Sequence, residues 1–368
     1  MKIAPFELER FFAEYEFQVQ HQLSNSDCEA MSVSELLNMT DGKDTYDLGG
    51  LHLGYTESLG APRLRKAVSS LYSTVSSDGV LVAAPEEAIF LALNAHLKAG
   101  DHVIVTTPVY QSLHSVPQSL GCRVTPWPVE LSAGKWELDF NYLQDHISSD
   151  TQMVIINIPH NPTGLCFTAS QQKELISLLR PRNILLFSDE MYWQLEYAPG
   201  TSNTPFCDLY ENTLSMSGLS KSYGLPGLRI GWLASQTEEL LKPAAELKDY
   251  TTICSSAPSE LLATAALENS RRLTDRCRRI VRTNLSLFGE FAERTSSIEF
   301  IPGQGGSILF PRLSDGLSAS ALSRRLIEKR NLLMLPGYLF NMPDSFFRLG
   351  LGRVKLPEAL AIFEKELP

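Results

Sequence analysis

The sequence lacks the features that mark membrane, secreted and nucleic-acid-binding proteins. It has no apolar run near the roughly 20 residues that a membrane span needs, and residues 1–10 turn acidic where a signal peptide would be apolar. Acidic residues outnumber basic ones by 42 to 32, giving a formal net charge of −10, which disfavours binding to nucleic acid. These absences predict a cytoplasmic protein with no membrane and no nucleic-acid partner.

The sequence also lacks clustered cysteines and a dinucleotide-binding glycine motif. Its six cysteines stand far apart, with no CxxC pair and no histidine at zinc-ligand spacing, so we predict free thiols and no metal site. A nicotinamide-binding fold needs GxGxxG after its first strand, where this chain reads Ala83-Ala-Pro-Glu-Glu.

Short apolar runs alternate with amphipathic helical patterns over the first two thirds of the chain. Seven runs predict strands buried on both faces: 80–84, 102–106, 122–126, 153–157, 184–188, 213–217 and 230–234. Helical patterns between them include 86–98, 109–120, 140–146 and 169–179. This alternation predicts an α/β fold in which helices sandwich a mainly parallel seven-stranded sheet. Ligands of such sheets bind at the carboxyl ends of the strands.

The C-terminal third has a different order of elements. Helix, strand, strand, helix, strand, strand and helix follow one another from about residue 259, which predicts a smaller α+β domain. We therefore expect a helical arm over 1–40, a large domain over 41–258 and a small domain over 259–368. The arm is expected to pack on the small domain or across a neighbouring subunit.

One lysine stands among small residues directly after a predicted strand. The segment from Ser217 to Arg229 reads Ser-Gly-Leu-Ser-Lys-Ser-Tyr-Gly-Leu-Pro-Gly-Leu-Arg, with the lysine at 221. A buried lysine can lose its proton and attack a carbonyl, such as a cofactor aldehyde. Arg229 can hold a phosphate through a bidentate salt bridge, and Ser220 and Ser217 can do so through their hydroxyls. The alternative is an ordinary loop lysine before a glycine-rich turn.

Further candidates follow other predicted strands. Asn161 lies in a turn after residue 157, and its amide can donate to a phenolate oxygen, as can the hydroxyl of Tyr192. Asp189 ends a buried strand, where a carboxylate needs a cationic partner such as a protonated pyridine nitrogen. Tyr110 can stack on a planar ring. Taken one at a time, these residues also fit an Asn-Pro turn, a helix cap and a surface tyrosine.

Two more segments complete this pattern. The helix that begins at Ala84-Pro85-Glu86 points its N-terminus at the same strand ends, which suits a phosphate. Arg348 lies inside an apolar strand, where an uncompensated charge is costly. A substrate carboxylate, bound in bidentate fashion, fits that arginine. An internal salt bridge is the alternative.

With these segments in hand, the chain resembles the class I/II aminotransferases among the fold-type-I pyridoxal-phosphate enzymes. The matching segments follow in order: Tyr55 with Gly60 and Leu64-Arg65, 99–105, 157–164, 189–192, 220–231, and Arg348. The resemblance implies pyridoxal 5'-phosphate as cofactor, with Lys221 forming its imine and shuttling the proton. It places Asp189 on the pyridine nitrogen, Asn161 and Tyr192 on the phenolate, and Tyr110 on the ring face.

The resemblance also implies contacts at the ends of the ligands. Arg229 would bind the phosphate, and Arg348 with Asn161 the substrate carboxylate. Tyr55 would reach a phosphate in the partner subunit of a homodimer with shared active sites. The implied activity transfers the amino group of an α-amino acid to a 2-oxo acid.

Two positions depart from the family pattern. Gly218 stands three residues before Lys221, where the family commonly has a phosphate-binding serine or threonine. Pro85 stands in the loop that usually supplies glycine N–H groups, and proline has none to donate. We therefore expect phosphate binding to depend on Ser220, Ser217 and Arg229.

Other activities stay open. Residues 6–17, 53–57 and 85–90 look more like the capreomycidine-synthase branch, which acts on arginine-derived substrates. Glu14, Glu16 and Glu57 are acidic candidates for a cationic side chain, although helix-surface carboxylates explain them as well. The same site would serve a cyclase or lyase. A regulatory domain that binds the cofactor without turnover usually carries an added DNA-binding segment, and no helix-turn-helix pattern or basic patch precedes the first matched motif.

Overall fold

The computed structural model describes residues 2–41, 46–202, 204–314 and 316–368. The α-helices in these ranges are α1 (Glu7–Tyr15), α2 (Val33–Asn38), α3 (Pro62–Ser69), α4 (Pro85–His96), α5 (Ser112–Ser119), α6 (Phe140–His146), α7 (Ala169–Leu179), α8 (Lys242–Lys248), α9 (Ala257–Glu268), α10 (Ser270–Glu293), α11 (Ala319–Arg330) and α12 (Leu356–Glu364). The strands are β1 (His21–Gln22), β2 (Val80–Ala83), β3 (His102–Thr107), β4 (Arg123–Ser132), β5 (Lys135–Leu138), β6 (Thr151–Asn157), β7 (Leu185–Asp189), β8 (Thr213–Gly218), β9 (Gly231–Ala234), β10 (Ile298–Glu299), β11 (Ile308–Leu309), β12 (Arg312–Leu313), β13 (Leu332–Leu333), β14 (Leu335–Pro336) and β15 (Phe347–Gly350).

An eight-stranded sheet of order β2-β9-β8-β7-β6-β3-β4-β5 forms the centre of the fold. All its strands run in one direction except β9 and β5, which are antiparallel to their neighbours. The seven predicted strands are all present, and the predicted α/β fold class is confirmed. The eighth strand, β5, turns back on β4 through Ala133 and Gly134, both at positive φ. Its alternating Trp136 and Leu138 are buried, which anchors this edge.

The central strands carry apolar side chains on both faces because helices cover the sheet on both sides. Every residue of β2, β7, β8 and β9 is buried. Their side chains belong to clusters on opposite faces of the sheet, as the alternation of Ile155 and Ile156 between two clusters illustrates. This arrangement fixes the strand ends, from which the candidate site residues project.

The N-terminal segment packs against the C-terminal part of the chain. Strand β1 pairs in parallel with β13, and the Gly350 N–H donates to the Leu23 carbonyl over 2.8 Å. A Cβ at Gly350 would come 2.0 Å from the Asn25 carbonyl oxygen, so only glycine permits this approach. Residues 2–40 are less helical than the sequence predicts, because residues 23–31 form an irregular segment between β1 and α2.

All six cysteines are free, as predicted, and four of them are buried. In the part of the chain that the structure describes, no helix has both the length and the apolar character for a membrane crossing.

Candidate active site

Lys221 lies three residues beyond the end of β8, and its amine contacts the N-terminal segment. Its Nζ donates to the Ser26 hydroxyl over 2.7 Å. The Ser26 carbonyl in turn accepts from the Ser307 hydroxyl over 2.6 Å. Burial lowers the pKa of Lys221, and the nearby carboxylate of Asp27 opposes this shift. A lowered pKa increases the fraction of neutral amine, which is the nucleophilic and basic form.

Asp189 ends β7 as a buried carboxylate with few partners. Asp189 is only 4% exposed, and its Oδ1 accepts a hydrogen bond from the Met191 N–H over 3.1 Å. Burial raises the pKa of Asp189 to about 7. Among the described residues no cation lies within ion-pair distance, so a protonated ring nitrogen would stabilise the ionised form.

Replacing Asp189 by asparagine is expected to remove a pH dependence from the stability of the ligand-free protein. An unfolded aspartate has a pKa of about 4, whereas Asp189 titrates at about 7 in the fold. Between these values the native state holds a proton that the unfolded state has released, so stability falls as pH rises and levels off above about 7. Urea unfolding should find the variant gaining at least about 1 kcal/mol over wild type between pH 5 and pH 8.

Asp150→Asn is a matched control for this measurement, because Asp150 is exposed and pairs with Arg123 at the surface. It should leave the pH dependence of unfolding close to that of wild type. An equal difference between Asp189→Asn and wild type at both pH values would mean that Asp189 is ionised throughout.

Asn161 lies in a turn fixed by Asn157. The Asn161 N–H donates to Oδ1 of Asn157 over 2.7 Å, and the Asn157 amide donates to the Asp189 carbonyl over 3.0 Å. The Asn161–Pro162 peptide bond is cis. The ends of β6 and β7 are thereby joined, which brings the predicted phenolate and pyridine partners to one edge of the sheet.

His160, which the sequence analysis does not single out, connects this turn to the segment before Tyr110. It is fully buried, and its Nε2 lies 2.6 Å from the Pro108 carbonyl oxygen. A carbonyl only accepts, so Nε2 carries the hydrogen and Nδ1 accepts from the Thr163 hydroxyl over 2.7 Å. Burial lowers the pKa of His160 to about 4, which keeps the ring neutral. No local pattern signals a contact 52 residues away.

Helix α1 and the residue before it cover Tyr110, whereas Tyr192 is buried deeper in the site. The Tyr110 hydroxyl donates to the Glu9 carboxylate over 2.7 Å, and the rings of Phe6 and Tyr110 lie 4.9 Å apart. Tyr192 is 2% exposed, and burial raises its pKa to about 12. Glu9 was missed in the sequence because it is one of several glutamates on an amphipathic helix. Its hydrogen bond with Tyr110 shows that Glu9 faces the site.

Arg348 is a buried cation without a carboxylate partner among the described residues. It is 1% exposed, and its Nε and Nη2 donate to the Ser24 carbonyl over 3.2 and 3.0 Å. Nη1 donates to Oδ1 of Asn161 over 3.3 Å. These bonds leave one N–H on each terminal nitrogen, the pair that grips a carboxylate. An internal salt bridge, the alternative from the sequence, is absent from this part of the structure.

The predicted phosphate end contains one buried hydroxyl without a partner. Ser220 is 5% exposed, and its Oγ has no hydrogen-bond partner among the described residues. The Ser217 hydroxyl donates to the Glu190 carbonyl over 3.2 Å. Gly218 pairs with Gly231, and a Cβ at Gly218 would come 3.0 Å from the Gly231 Cα and 3.3 Å from Cγ of Pro85. The two departures from the family pattern, Gly218 and Pro85, therefore depend on each other, because the proline ring leaves little space for a side chain at position 218.

The remaining candidates lie at the margin of the site. Arg229 is exposed, with Nη1 donating to the Pro226 carbonyl over 3.1 Å. Glu86 follows Ala84 and Pro85 in the first turn of α4, and burial raises its pKa to about 7. Tyr55 is 92% exposed and forms no hydrogen bond or ring contact with any described residue. Glu14 and Glu57 are exposed, whereas Glu16 is half-buried beside Asp27.

The unpartnered groups define the ligand that fits here. The Ser220 hydroxyl offers a donor near the start of α4, Asp189 lacks a cation, and Arg348 lacks an anion. An amine of lowered pKa, Lys221, belongs to the same network through Ser26. These residues fit an aldehyde cofactor that carries a phosphate and a basic ring nitrogen, together with a carboxylate substrate.

Over most of the chain, comparison with known proteins identifies relatives that use such a cofactor. The family model described as aminotransferase class I and II matches residues 38–360. Capreomycidine synthase of Streptomyces vinaceus is 30% identical over 365 residues, which are 98% of this chain and 93% of that protein. An aspartate aminotransferase of Sulfurisphaera tokodaii is 26% identical, over 81% of this chain and 78% of that protein.

Solved structures of PLP-dependent enzymes have the same fold as this chain. A PLP-dependent aminotransferase from Streptococcus suis is 28% identical with a TM-score of 0.92, covering 100% of this chain and 97% of that one. The PLP-dependent cyclase OrfR is 27% identical with a TM-score of 0.91, covering 100% and 98%. The fold is that of the fold-type-I enzymes, and pyridoxal 5'-phosphate is the implied cofactor. This chain belongs to the aminotransferase class I and II family.

Proposed function

We propose that this protein is a cytoplasmic aminotransferase that moves the amino group of an α-amino acid to a 2-oxo acid and works as a homodimer. The observation that carries this proposal is Arg348, a fully buried guanidinium with two free N–H groups and no acidic partner among the described residues. An uncompensated buried cation is costly, and a substrate α-carboxylate would relieve that cost. Its contact with Asn161, a predicted cofactor ligand, supports a carboxylate site next to the cofactor.

The residues around the cofactor have separate tasks in this proposal. Ser220, Arg229 and the first turn of α4 hold the phosphate, while Asn161 and Tyr192 donate to the ring hydroxyl oxygen. Asp189 keeps the ring nitrogen protonated, and Tyr110 packs on the ring face. When bound, the cofactor supplies an electron sink for the bond broken at the α-carbon.

Lys221 is the proton carrier. Burial favours its neutral amine, so Nζ can accept the proton from the α-carbon and deliver it to another carbon of the reacting system. Ser26 orients the amine through its hydroxyl. Helix α1 covers the site with Phe6 and Glu9, which limits the access of water during the proton transfer.

A cyclase or lyase that acts on a cationic amino acid is the second candidate. Glu9 and Asp27 favour the charged form of the Lys221 amine, and Glu16 interacts with all three groups. Asp27 pairs with Arg353 and Glu9 accepts from Tyr110, so Glu16 is the carboxylate left to favour a substrate with a positively charged side chain. The similarity to capreomycidine synthase and to OrfR over the full chain supports this candidate.

Single-turnover and steady-state assays with individual amino acids separate the candidates. The holoenzyme is incubated with each amino acid and 2-oxoglutarate, and glutamate, ammonia and cyclised products are measured. Formation of glutamate from at least one donor is expected. Ammonia or a cyclised product without glutamate from any donor would overturn the transaminase proposal in favour of the second candidate. A bound cofactor without any turnover would indicate a regulatory domain.

A further inference from the structure

Three charged side chains from three helices fix the backbone of residues 58–61. The Lys248 ammonium, at the end of α8, donates to the Ser58 carbonyl over 2.5 Å. The Glu260 carboxylate, in α9, accepts the Ala61 N–H over 3.2 Å. Nε of Arg65, in α3, donates to the Gly60 carbonyl over 3.2 Å. Each charge therefore bonds a backbone group of a different residue in one short segment.

Two of these charges are buried to a degree that is unusual for their residue types. Lys248 is 0% exposed and Glu260 is 1% exposed, whereas lysine and glutamate are almost never fully buried without partners. Burial lowers the pKa of Lys248 and raises that of Glu260. Oε1 of Glu260 has no hydrogen-bond partner among the described residues. A loop that only connected two secondary-structure elements would not require two buried charges.

Gly60 adds a backbone constraint to the same segment. Its φ is +105°, and a Cβ there would come 2.4 Å from Cγ2 of Val82. The Val82 N–H donates to the Leu59 carbonyl over 2.9 Å. The segment is therefore attached to the edge of the sheet in a conformation that only glycine readily adopts.

Exposed apolar side chains lie next to the fixed segment, residues 58–61, and not on it. Two large ones directly precede it and two lie on the segment to which it is bonded: Leu53 (78% exposed), Tyr55 (92%), Tyr250 (87%) and Ile253 (52%). The Thr56 hydroxyl joins the two segments by donating to the Ser255 carbonyl over 3.3 Å. Ile253 has a φ of +64°, a strained conformation for a β-branched residue. Exposed apolar groups on a rigid backbone are typical of a surface that meets a partner.

We propose that Lys248 and Glu260 are positioning residues that pre-organise residues 58–61, so that Tyr55, which lies just before them, is presented to the cofactor phosphate bound by a second copy of this chain. This inference rests on the proposed homodimer. The phosphate end of one chain is short of donors, because Pro85 has no N–H and the Ser217 hydroxyl is engaged by Glu190. A tyrosine hydroxyl from a neighbouring copy would add one. Fixing its backbone beforehand reduces the entropy lost on contact.

The test measures the Kd of pyridoxal 5'-phosphate for cofactor-free protein by its visible absorbance. Tyr55→Phe is expected to raise the Kd about tenfold, as for a lost hydrogen bond to a charged group. Lys248→Met is expected to raise it about fivefold in the wild-type background and less than about twofold in the Tyr55→Phe background, because coupled residues are not additive. Lys242→Met is the control, since Lys242 lies on the same helix with 68% of its side chain exposed.

The outcomes separate the inference from the proposed function. An unchanged Kd in Tyr55→Phe would overturn the shared site itself. A tenfold effect of Tyr55→Phe with a full, additive effect of Lys248→Met would overturn the positioning role alone. Thermal unfolding of the cofactor-free variants identifies any loss of fold. If Lys248→Met does not fold, Glu260→Gln, which keeps the side-chain shape, decides the same comparison.

Discussion

Replacing Lys221 by alanine is expected to lower kcat by about 10⁴-fold, the upper end of what a positioned proton-transfer group contributes. The amine is the proton carrier in the proposed reaction, and burial favours its neutral, reactive form. The same substitution removes the carbonyl-reactive group, so the absorbance of the lysine-bound cofactor should disappear. Steady-state assays with the best amino donor and an absorbance spectrum of the purified variant measure both effects.

The Lys221→Arg variant distinguishes a role of Lys221 in proton transfer from a role of its positive charge alone. A guanidinium keeps the positive charge but does not deprotonate in proteins, so this variant is expected to be as inactive as Lys221→Ala. Lys242→Ala, an exposed lysine paired only with Glu239 at the surface, should retain full activity. Substantial activity in Lys221→Arg would contradict the proton-carrier role.

The positions of the strand-end residues were predictable because sheet geometry is simple. Asp189 and Asn157 end neighbouring parallel strands and pair in register, and an apolar run followed by a polar residue is enough to predict both ends. Gly218 was predicted as a missing phosphate donor, and the structure adds the reason for its size. Pro85 and Gly231 both lie close to Gly218, and a single sequence does not contain these distances.

The N-terminal contribution to the site was not predictable in the same way. Ser24 and Ser26 lie in an irregular segment without apolar periodicity, and the contact between Ser24 and Arg348 spans 324 residues. The sequence analysis treats residues 1–40 as a helical arm, since its acidic helix pattern is the only local signal. The pairing of β1 with β13 and the contact of Leu23 with Gly350 bring the serines to Arg348 and Lys221.

Replacing Arg348 by methionine is expected to raise the KM for the amino acid by about 10²- to 10⁴-fold. Two charge-assisted hydrogen bonds to the α-carboxylate would be lost, each contributing about 1.5–3 kcal/mol. The stability of the fold should change much less than the affinity, because removing a buried cation without an acidic partner relieves a desolvation cost and offsets the hydrogen bonds lost to Ser24. We expect the free energy of unfolding of the cofactor-free variant to stay within about 2 kcal/mol of wild type, the Ser24 carbonyl losing its partner.

Substrate analogues make this prediction specific to the carboxylate. An amine that lacks the carboxylate should react at the same low rate with wild type and with Arg348→Met, because neither forms the bidentate contact. Arg348→Lys keeps the charge but loses the planar fork, so its KM should lie between the two. Arg312→Met removes a surface arginine paired with Glu299 and should change neither KM nor rate. A drop in stability of several kcal/mol with an unchanged KM would assign Arg348 to the fold, since its contacts with Ser24 and Asn161 would then be its whole role.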